Sequence, residues 1–348
     1  MAHTVQFGNR CLGEGHPALI VAEAGINHNG DLETAKEMIR MAAACGADAI
    51  KFQVFRAEEF VGAGQEYAYE TGGKQVRESM LEMFRRYELP YRAHAELAAC
   101  AREAGILYFS TPADLEALKV LVEIGVPAIK VGSDDLTNLP LLRAFASAGL
   151  PMVISTGMAR LGEVEDAVEA IRAVGNDDIV ILHCISLYPT PIEEVHLRRM
   201  ETLRRAFDVP VGFSDHSEGV AAAIGAAALG ACFIEKHFTL DNRRIGPDHR
   251  FSADPTTLSR LVAGVRDVEA ALGRSVFALS PEEEAMRRDC HRSIVARVPI
   301  APGTRLAPEH LTLKRPGTGL PPREWNNVVG RVARVSLAAD QPITWEVI

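Results

Sequence analysis

The chain has 348 residues, 47% of them hydrophobic and 6% aromatic, so it is long enough for one large domain and an appendage. Its formal net charge of −9 and the absence of a basic cluster argue against nucleic acid as a partner. The N-terminus lacks a basic segment followed by an apolar one, no apolar run reaches about 18 residues, and the six cysteines form no CxxC pair. We therefore expect a soluble, cytoplasmic protein with reduced thiols and no membrane segment.

Short apolar runs alternate with amphipathic helical patterns along most of the chain. The helical patterns mostly end at a glycine, as at Gly46, which is the residue preferred just after a helix. The apolar runs predict eight strands, at 18–25, 49–55, 106–112, 128–133, 151–156, 179–186, 210–216 and 232–238. Eight strands alternating with eight helices predict a (β/α)8 TIM barrel. An open doubly wound sheet is the alternative, but it usually carries GxGxxG after its first strand, and "EAGINHNG" does not supply it.

Two parts of the chain depart from this alternation. The connection 56–93 is unusually long and partly helical in pattern, which is typical of a functional loop on a barrel. From about 291, short β-like pieces are separated by proline and glycine, which indicates a small β-rich domain. We predict a catalytic barrel at 1–275, a linker at 276–290 and a second domain at 291–348.

Polar side chains end nearly every predicted strand. In a barrel of this kind, catalytic groups gather at the carboxyl ends of the strands. The candidates, in chain order, are Glu23, Lys51, Gln53, Thr111, Lys130, Ser133, Ser155, Ser186, Tyr188, Ser214, His216, Glu235 and His237. These residue types predict an active site rather than a purely structural core.

His216 and His237 end two successive strands, with Glu235 two residues before the second. Side chains alternate along a strand, and neighbouring parallel strands lie roughly 5 Å apart, so two imidazoles could share one metal ion. Because no thiolate is near, an open octahedral Mn²⁺ or Mg²⁺ site fits better than closed tetrahedral Zn²⁺. Asp215 and Lys236 point the other way; we expect a structural role for Lys236, and we expect Asp215 to orient a neighbouring side chain.

Lys51 and Lys130 lie inside predicted buried strands, where a lysine is costly unless it meets an anion. With the hydroxyls of Ser133, Ser155 and Ser214, they predict a cradle for phosphate and carboxylate groups. Pairing with structural carboxylates is one alternative. A Schiff base with a carbonyl substrate is another, because a buried lysine can have a lowered pKa.

Two further candidates lie outside the strands. Asp248 follows the last strand on a long loop, and Arg315 lies in the rigid segment "KRPGTGLPP" of the second domain. The flanking glycine and proline residues favour a presented arginine over an ordinary surface one.

These motifs together resemble the sialic acid synthase family, the bacterial N-acetylneuraminate synthases and their nonulosonate relatives. The resemblance covers nearly the whole chain and rests on "AEAGINHNG", "IKFQ", "FSTP", "IKVGS", "ISTGM", "LHCISLYPTP", "GFSDH", "EKHFTLD", "GPDH" and "LKRPGTG". It implies a (β/α)8 barrel followed by a small antifreeze-like (SAF, β-clip) domain. It also implies condensation of phosphoenolpyruvate with a 2-acetamido sugar aldehyde and release of phosphate.

The resemblance also implies roles for individual residues. It makes His216 and His237 ligands of a divalent metal, Mn²⁺ in the first place and Mg²⁺ or Co²⁺ otherwise. Phosphoenolpyruvate would be held by Lys51, Lys130, Ser133, Ser155, Ser214 and Thr111. The sugar and the metal-bound water would be positioned by Glu23, Gln53, Tyr188, Glu235 and Asp248, with Glu235 or Glu23 carrying the proton. Arg315 would reach the partner's site in a domain-swapped homodimer.

Two departures leave the acceptor sugar open. Ser186 stands where the sialate pattern usually has asparagine, and "VFRAEEFVGAG" lacks the histidine of some sialate synthases, as in legionaminate-type enzymes. "YPTP" favours the sialate type over the pseudaminate type. N-acetylmannosamine is the first expectation, and a 2,4-diacetamido-trideoxy hexose is the alternative. More distant alternatives are a Schiff-base pyruvate aldolase and a non-catalytic binding protein on a barrel scaffold.

Overall fold

The structure is a computed structural model that describes residues 3–348. The chain divides into two compact units, the first ending at Gly273 and the second covering Arg274–Ile348. All six cysteines are unpaired. Among the described residues, none of the helices combines the length and apolar character needed to cross a lipid bilayer.

Eight parallel strands close into a barrel in the first unit, as the sequence predicted. The strands are β1 (Leu19–Gly25), β2 (Ala49–Val54), β3 (Leu107–Pro112), β4 (Ile129–Val131), β5 (Met152–Ser155), β6 (Ile179–Cys184), β7 (Val211–Asp215) and β8 (Phe233–His237). Each strand pairs with the next in the chain, and β8 closes the barrel on β1 with His237 opposite Glu23. The carboxyl ends of the first and the last strand therefore lie next to each other at one rim of the barrel.

Eight helices follow the strands. They are α1 (Leu32–Ala44), α2 (Tyr91–Ala104), α3 (Leu115–Ile124), α4 (Leu139–Ala146), α5 (Leu161–Arg172), α6 (Arg199–Phe207), α7 (Ala221–Ala228) and α8 (Pro255–Leu272). Aspartates cap several of them; Asp31, for example, accepts from the Thr34 amide at the start of α1. His196 has a φ of 49°, a left-handed conformation that cannot continue a helix, and α6 begins after it, at Arg199.

A short hairpin closes the end of the barrel where the strands begin. Its strands, Val5–Phe7 and Arg10–Leu12, are antiparallel and were not predicted. Phe7 is fully buried and meets Phe109 edge to face, with ring centroids 5.1 Å apart. Three-residue strands carry too little periodicity to be read from sequence.

The long connection between β2 and α2, residues 55–90, is here called the insertion. It contains a helix at Ala57–Phe60, an antiparallel hairpin of Glu66–Thr71 and Lys74–Ser79, and a helix at Met80–Tyr87. The helices agree with the partly helical pattern, whereas the hairpin was not predicted. The insertion has its own apolar cluster, which includes Phe55, Met83 and Tyr87.

The second unit has a helix at Pro281–Cys290 and an antiparallel pair of strands, Ser293–Ala296 and Leu311–Lys314. A short helix, Trp325–Val328, and isolated bridges complete it around its own apolar core. Single turns of 3₁₀ helix lie at Ile192–Glu194 and His249–Phe251 in the first unit and at Pro308–His310 and Pro322–Glu324 in the second. The predicted linker 276–290 therefore contains a helix with a Ser280 cap, and the domain boundaries stay a prediction.

Candidate active site

A cavity of about 450 Å³ opens at the carboxyl ends of the barrel strands. It is within the usual size range of small-molecule sites. Of the predicted site residues, the cavity is lined by Glu23, Lys51, Gln53, Thr111, Lys130, Ser133, Ser155, Ser186, Tyr188, Ser214, His216, Glu235 and His237. Residues more than 200 positions apart thus meet at one site because each lies on a barrel strand or directly follows one.

Lys51 on β2 lies at the floor of the cavity. Its Nζ is 2.9 Å from Glu23 Oε2 and donates to Thr111 Oγ1 at 3.2 Å. The strands β1 and β3 flank β2, so each partner comes from a neighbouring strand. The lysine is thereby held in one position with its charge directed into the cavity.

Lys130 on β4 is the second buried cation. Its Nζ donates to Ser155 Oγ at 2.7 Å and to the Val131 carbonyl at 3.0 Å. The carboxylate of Glu235 lies between the two lysines, with Oε1 4.0 Å from Lys130 and Oε2 3.8 Å from Lys51. Glu235 Oε1 also accepts from Ser214 Oγ at 2.9 Å.

The electrostatics of this cluster distinguish its two carboxyl groups. Burial raises the pKa of Glu23 to about 7, although Lys51 opposes the shift. Burial would also raise the pKa of Glu235, but Lys130 and Lys51 outweigh it and the net direction is down. The site therefore contains one firmly ionised carboxylate and one carboxyl that can hold a proton near neutral pH.

The hydroxyls of Ser133 and Ser186 line the β4–β6 side of the cavity. The Gly157 amide donates to Ser133 Oγ at 2.9 Å, and Ser186 Oγ is buried without a partner among the described residues. A Cβ at Gly157 would lie 2.2 Å from Ser186 Oγ, so only glycine allows these groups to converge. With the two lysines, they can surround an anion such as a phosphate.

His216 and His237 lie side by side, with ring centroids 5.3 Å apart. His216 Nδ1 is 2.8 Å from the Ile185 carbonyl, which can only accept, so Nδ1 carries a proton and Nε2 is the nitrogen left for a metal. His237 Nδ1 is buried without a hydrogen-bond partner in the described part of the chain. Burial and the neighbouring His216 hold the pKa of His237 well below its usual range, so this imidazole is neutral.

Burial would also lower the pKa of His216, but Cys184 and the Ile185 carbonyl outweigh it and the net direction is up, so a cation would compete with a proton at this ring. Asp248 adds a carboxylate at the rim, with Oδ2 3.7 Å from His237 Nδ1, and burial raises its pKa to about 6. Within residues 3–348, no group of three or more His, Cys, Asp or Glu side chains is arranged to hold a metal. A cation here would thus depend on two histidines and on water or substrate for its remaining ligands.

Asp215 and Lys236 alternate with these residues and point away from the cavity, as expected. Lys236 Nζ donates to Asp215 Oδ2 at 2.8 Å, and both side chains are almost fully buried. Asp215 Oδ1 accepts from the amide and the hydroxyl of Ser217 at 2.9 and 2.6 Å. The partner of Asp215, which the sequence could not identify, is the lysine at the matched position of β8.

The remaining predicted residues lie outside the cavity floor. Asp248 borders a small adjoining cavity that is also lined by Tyr67, Tyr188 and Arg250. Arg315 is exposed in the second unit, just after the strand Leu311–Lys314, and its role in the site stays a prediction.

Sequence reasoning missed several residues of this cavity. Asp134 and Asp135 follow Ser133 directly, and their position after a strand end could have indicated them. Cys184 lies 3.9 Å from His216 Nδ1 and was taken only as a buried thiol. Phe60, Tyr67 and Phe84 from the insertion had no signal in the strand pattern because they come from outside it, and Phe55 was read only as the last residue of the predicted strand 49–55.

The fold and the site together define a class of enzyme-like barrel. It combines a buried anion cradle, a carboxyl able to carry a proton, and a pair of adjacent imidazoles at one barrel mouth. Such a site suits a reaction between an anionic substrate and a second molecule activated by a cation.

Comparison with known proteins narrows this class. Residues 38–277 match the NeuB family, and residues 291–348 match the SAF domain. The chain is 40% identical to the N,N'-diacetyllegionaminic acid synthase of Legionella pneumophila, over 96% of this chain and 95% of that protein. It is 39% identical to the N-acetylneuraminate-9-phosphate synthase of Homo sapiens, over 97% and 95%.

A solved structure gives the same result. The N-acetylneuraminic acid synthetase of Leptospira borgpetersenii superposes with a TM-score of 0.74 at 34% identity, covering 82% of this chain and 95% of that one. The chain belongs to the NeuB family and ends in a SAF domain, which confirms both the resemblance and the expected fold. Because its relatives are named synthases, it is an enzyme rather than a binding protein on a barrel scaffold.

Proposed function

We propose that this enzyme condenses phosphoenolpyruvate with N-acetylmannosamine or a related 2-acetamido sugar, giving N-acetylneuraminate or a related nonulosonic acid and phosphate. The observation that carries the proposal is the meeting of Lys51 and Lys130 with the His216–His237 pair in one cavity. The relatives named as sialic, legionaminic and pseudaminic acid synthases support this reaction class.

The residues present fit a divalent metal ion. The Ile185 carbonyl occupies His216 Nδ1 and leaves Nε2 for a metal, His237 is neutral with Nδ1 unpartnered among the described residues, and Asp248 offers a carboxylate nearby. We propose Mn²⁺, with Mg²⁺ or Co²⁺ as alternatives, since this donor set leaves positions open for water and substrate. When bound, such a cation supplies Lewis-acid polarisation of the acceptor's aldehyde.

The cavity's own residues hold the substrate and move the proton. Lys51 and Lys130 neutralise the charges of phosphoenolpyruvate and, with Ser133, Ser155 and Ser214, hold its methylene carbon beside the aldehyde. That carbon attacks the aldehyde carbon, water adds at C2 of the former phosphoenolpyruvate, and phosphate leaves as the intermediate collapses. Glu23 is the better proton carrier, because its pKa of about 7 suits exchange near neutral pH and that of Glu235 is lowered.

The direct test is phosphate release from phosphoenolpyruvate by enzyme that has first been stripped with a chelator. We expect release only when both N-acetylmannosamine, or another 2-acetamido sugar, and Mn²⁺ are added. No release with a panel of such sugars and Mn²⁺, Mg²⁺ or Co²⁺ would refute the proposed function.

A Schiff-base aldolase is the second candidate, because burial lowers the pKa of Lys130 and a neutral amine can attack a carbonyl. Borohydride in the presence of pyruvate separates the two reactions. A stable protein adduct at Lys130 would favour the aldolase, whereas an unmodified protein favours condensation.

We also propose a homodimer in which Arg315 serves the partner's site. The support is the family resemblance of "LKRPGTG" in the SAF domain. Mixing inactive Arg315→Ala and His237→Ala variants under subunit exchange should restore activity, because one site of each mixed dimer then has both residues intact. No recovery, or a monomeric mass in light scattering, would refute it.

A further inference from the structure

The segment "GINHNG" joins β1 to α1, and its buried asparagine, Asn27, has no part in the chemistry described so far. The segment begins at Gly25, the last residue of β1, which has a φ of 50°. A Cβ at Gly25 would lie 3.4 Å from Glu23 Oε1. It would also lie 3.7 Å from His237 Cε1 and 3.8 Å from Asp248 Oδ2. The segment therefore starts where these three side chains converge.

The side-chain amide of Asn27 reaches the loop between β8 and α8, residues 238–254. Its Nδ2 donates to the Phe238 carbonyl and to Ser252 Oγ, both at 2.9 Å. Because the carbonyl can only accept, the amide nitrogen is the atom that faces it. Ser252 Oγ donates in turn to the Asp248 carbonyl at 2.6 Å. One side chain thus links the peptide that follows His237 to the turn that carries Asp248.

The peptide after His237 is also held by the backbone around it. The Phe238 amide donates to the Glu23 carbonyl at 2.7 Å, and the Ala253 amide donates to the His237 carbonyl at 2.7 Å. The bond from Asn27 to the Phe238 carbonyl is the side-chain contact that completes this support. The direction of the His237 ring therefore depends on Asn27 as well as on the strand ladder.

The oxygen of the same amide, Asn27 Oδ1, is buried without a hydrogen-bond partner among residues 3–348. A buried polar atom without a partner destabilises a fold, so an apolar side chain of the same shape would serve packing better. The two donors of the amide, and not its volume, therefore account for an asparagine at this position.

Other contacts hold the remainder of the loop between β8 and α8. Thr71 Oγ1, in the hairpin of the insertion, accepts from the Gly246 amide at 3.0 Å. Asn29 Nδ2 donates to the Ile245 carbonyl at 3.1 Å. These contacts do not involve Asn27, so we expect its replacement to alter the loop near Asp248 without unfolding it.

We propose that Asn27 is a positioning residue, which holds the His237 ring and the Asp248 carboxylate in the relative geometry that the divalent cation and the acceptor require. This inference rests on the proposed function and adds a residue to its site. The amide makes no hydrogen bond to Lys51 or Lys130, whose partners are on other strands. Its loss should therefore affect the cation side of the cavity and spare the anion cradle.

Asn27→Leu keeps the approximate shape of the side chain and removes both donors. Asn176→Leu is the matched control, because Asn176 is also buried and its Nδ2 donates to the Ala146 and Leu150 carbonyls at 3.2 and 2.9 Å. Asn176 lies between α5 and β6, at the opposite end of the barrel from the cavity. Both variants should lose stability in urea unfolding with chelator present, because each leaves buried acceptors without a donor.

Titration with Mn²⁺ in the absence of substrates, followed by electron spin resonance, is the first measurement. Asn27→Leu should weaken Mn²⁺ binding about tenfold or more, as loss of a contact behind a metal ligand commonly does, whereas Asn176→Leu should bind as the wild type. Ser252→Ala removes only the link to Asp248 and leaves the bond from Asn27 to Phe238. It should therefore weaken Mn²⁺ binding less than Asn27→Leu does.

Phosphate release is the second measurement. Asn27→Leu and Ser252→Ala should each raise the KM for the acceptor sugar about fivefold, roughly the effect of one hydrogen bond, with the KM for phosphoenolpyruvate unchanged. General destabilisation would not separate the two constants in this way. If Asn27→Leu does not fold, Ser252→Ala decides, and an unchanged KM for the acceptor in that variant overturns the inference.

Two further results would overturn the inference while the proposed function stands. One is Mn²⁺ binding and an acceptor KM in Asn27→Leu that equal those of Asn176→Leu. The other is an equal rise in the KM of both substrates. No phosphate release by the wild type with any acceptor refutes the proposed function, and the Mn²⁺ titration then decides the role of Asn27 by itself. A wild type that binds no Mn²⁺ overturns that role as well.

Discussion

Replacing Lys236 by methionine isolates the ion pair behind the histidines. The substitution keeps the length of the side chain and removes the cation 2.8 Å from Asp215 Oδ2, leaving a carboxylate that is fully buried. Breaking a buried pair on one side costs about 3–5 kcal/mol, because the remaining charge has lost both water and its partner. We expect a loss of this size in the free energy of unfolding.

The double variant Lys236→Met, Asp215→Asn removes both charges. The side-chain oxygen of the introduced asparagine can still accept from the Ser217 amide, so the double variant should be more stable than Lys236→Met by about 2 kcal/mol. Asp215 and Lys236 also adjoin His216 and His237 in the chain. The single variant should therefore weaken Mn²⁺ binding by about 10- to 100-fold, as loss of a supporting contact behind a ligand commonly does.

Urea unfolding followed by far-UV circular dichroism, in the presence of a chelator, measures the first effect without a contribution from metal. Circular dichroism is the right signal for the barrel because both tryptophans, Trp325 and Trp345, lie in the second unit. Titration with Mn²⁺, followed by its electron spin resonance, measures the second. The reasoning fails if Lys236→Met costs less than about 1 kcal/mol, or if the double variant is no more stable than the single.

Three further predictions follow from the site and its surroundings. His237→Ala should reduce Mn²⁺-dependent phosphate release at least 100-fold, roughly the effect of losing a direct metal ligand. Wild-type enzyme stripped with a chelator should regain activity when Mn²⁺ is added. Full activity in the presence of chelator would contradict the metal assignment. His94 is buried against Tyr108, and burial lowers its pKa from the usual 6.5 to about 4, so the unfolded chain takes up this proton first on acidification. The free energy of unfolding should therefore fall as the pH drops from 6.5 toward 4, by about 2 kcal/mol between pH 7 and 5. His94→Gln should remove this part of the pH dependence, as measured by urea unfolding at each pH. The same pH dependence in the variant as in the wild type would contradict the prediction. Thr71→Val removes the acceptor for the Gly246 amide and should raise the KM for the acceptor sugar about threefold or more while leaving that for phosphoenolpyruvate unchanged, a split that general destabilisation would not produce.

The sequence by itself determined the barrel and most of the cavity floor. The strands of a parallel barrel are buried on both faces, so they appear as separate apolar runs, and the polar residues that end them must meet at one rim. The alternation of side chains along a regular strand was enough to predict that Ser214 and His216 face the cavity while Asp215 faces away. The same alternation on β8 puts Glu235 and His237 in the cavity and Lys236 outside it.

Only the tertiary structure decided which groups pair and what covers the site. The register of β7 against β8 places Lys236 opposite Asp215, and no local pattern encodes a register between strands. Phe60, Tyr67 and Phe84 come from an insertion whose side chains reach the cavity through their own packing, outside the period of the barrel strands and helices. Glu23 and Glu235 have the same side chain in similar positions, but burial outweighs Lys51 at Glu23, whereas Glu235 lies between two lysines and accepts from Ser214, which keeps it ionised. Local periodicity depends on neighbours along the chain, whereas charge balance and enclosure depend on distances that exist only once the barrel has closed.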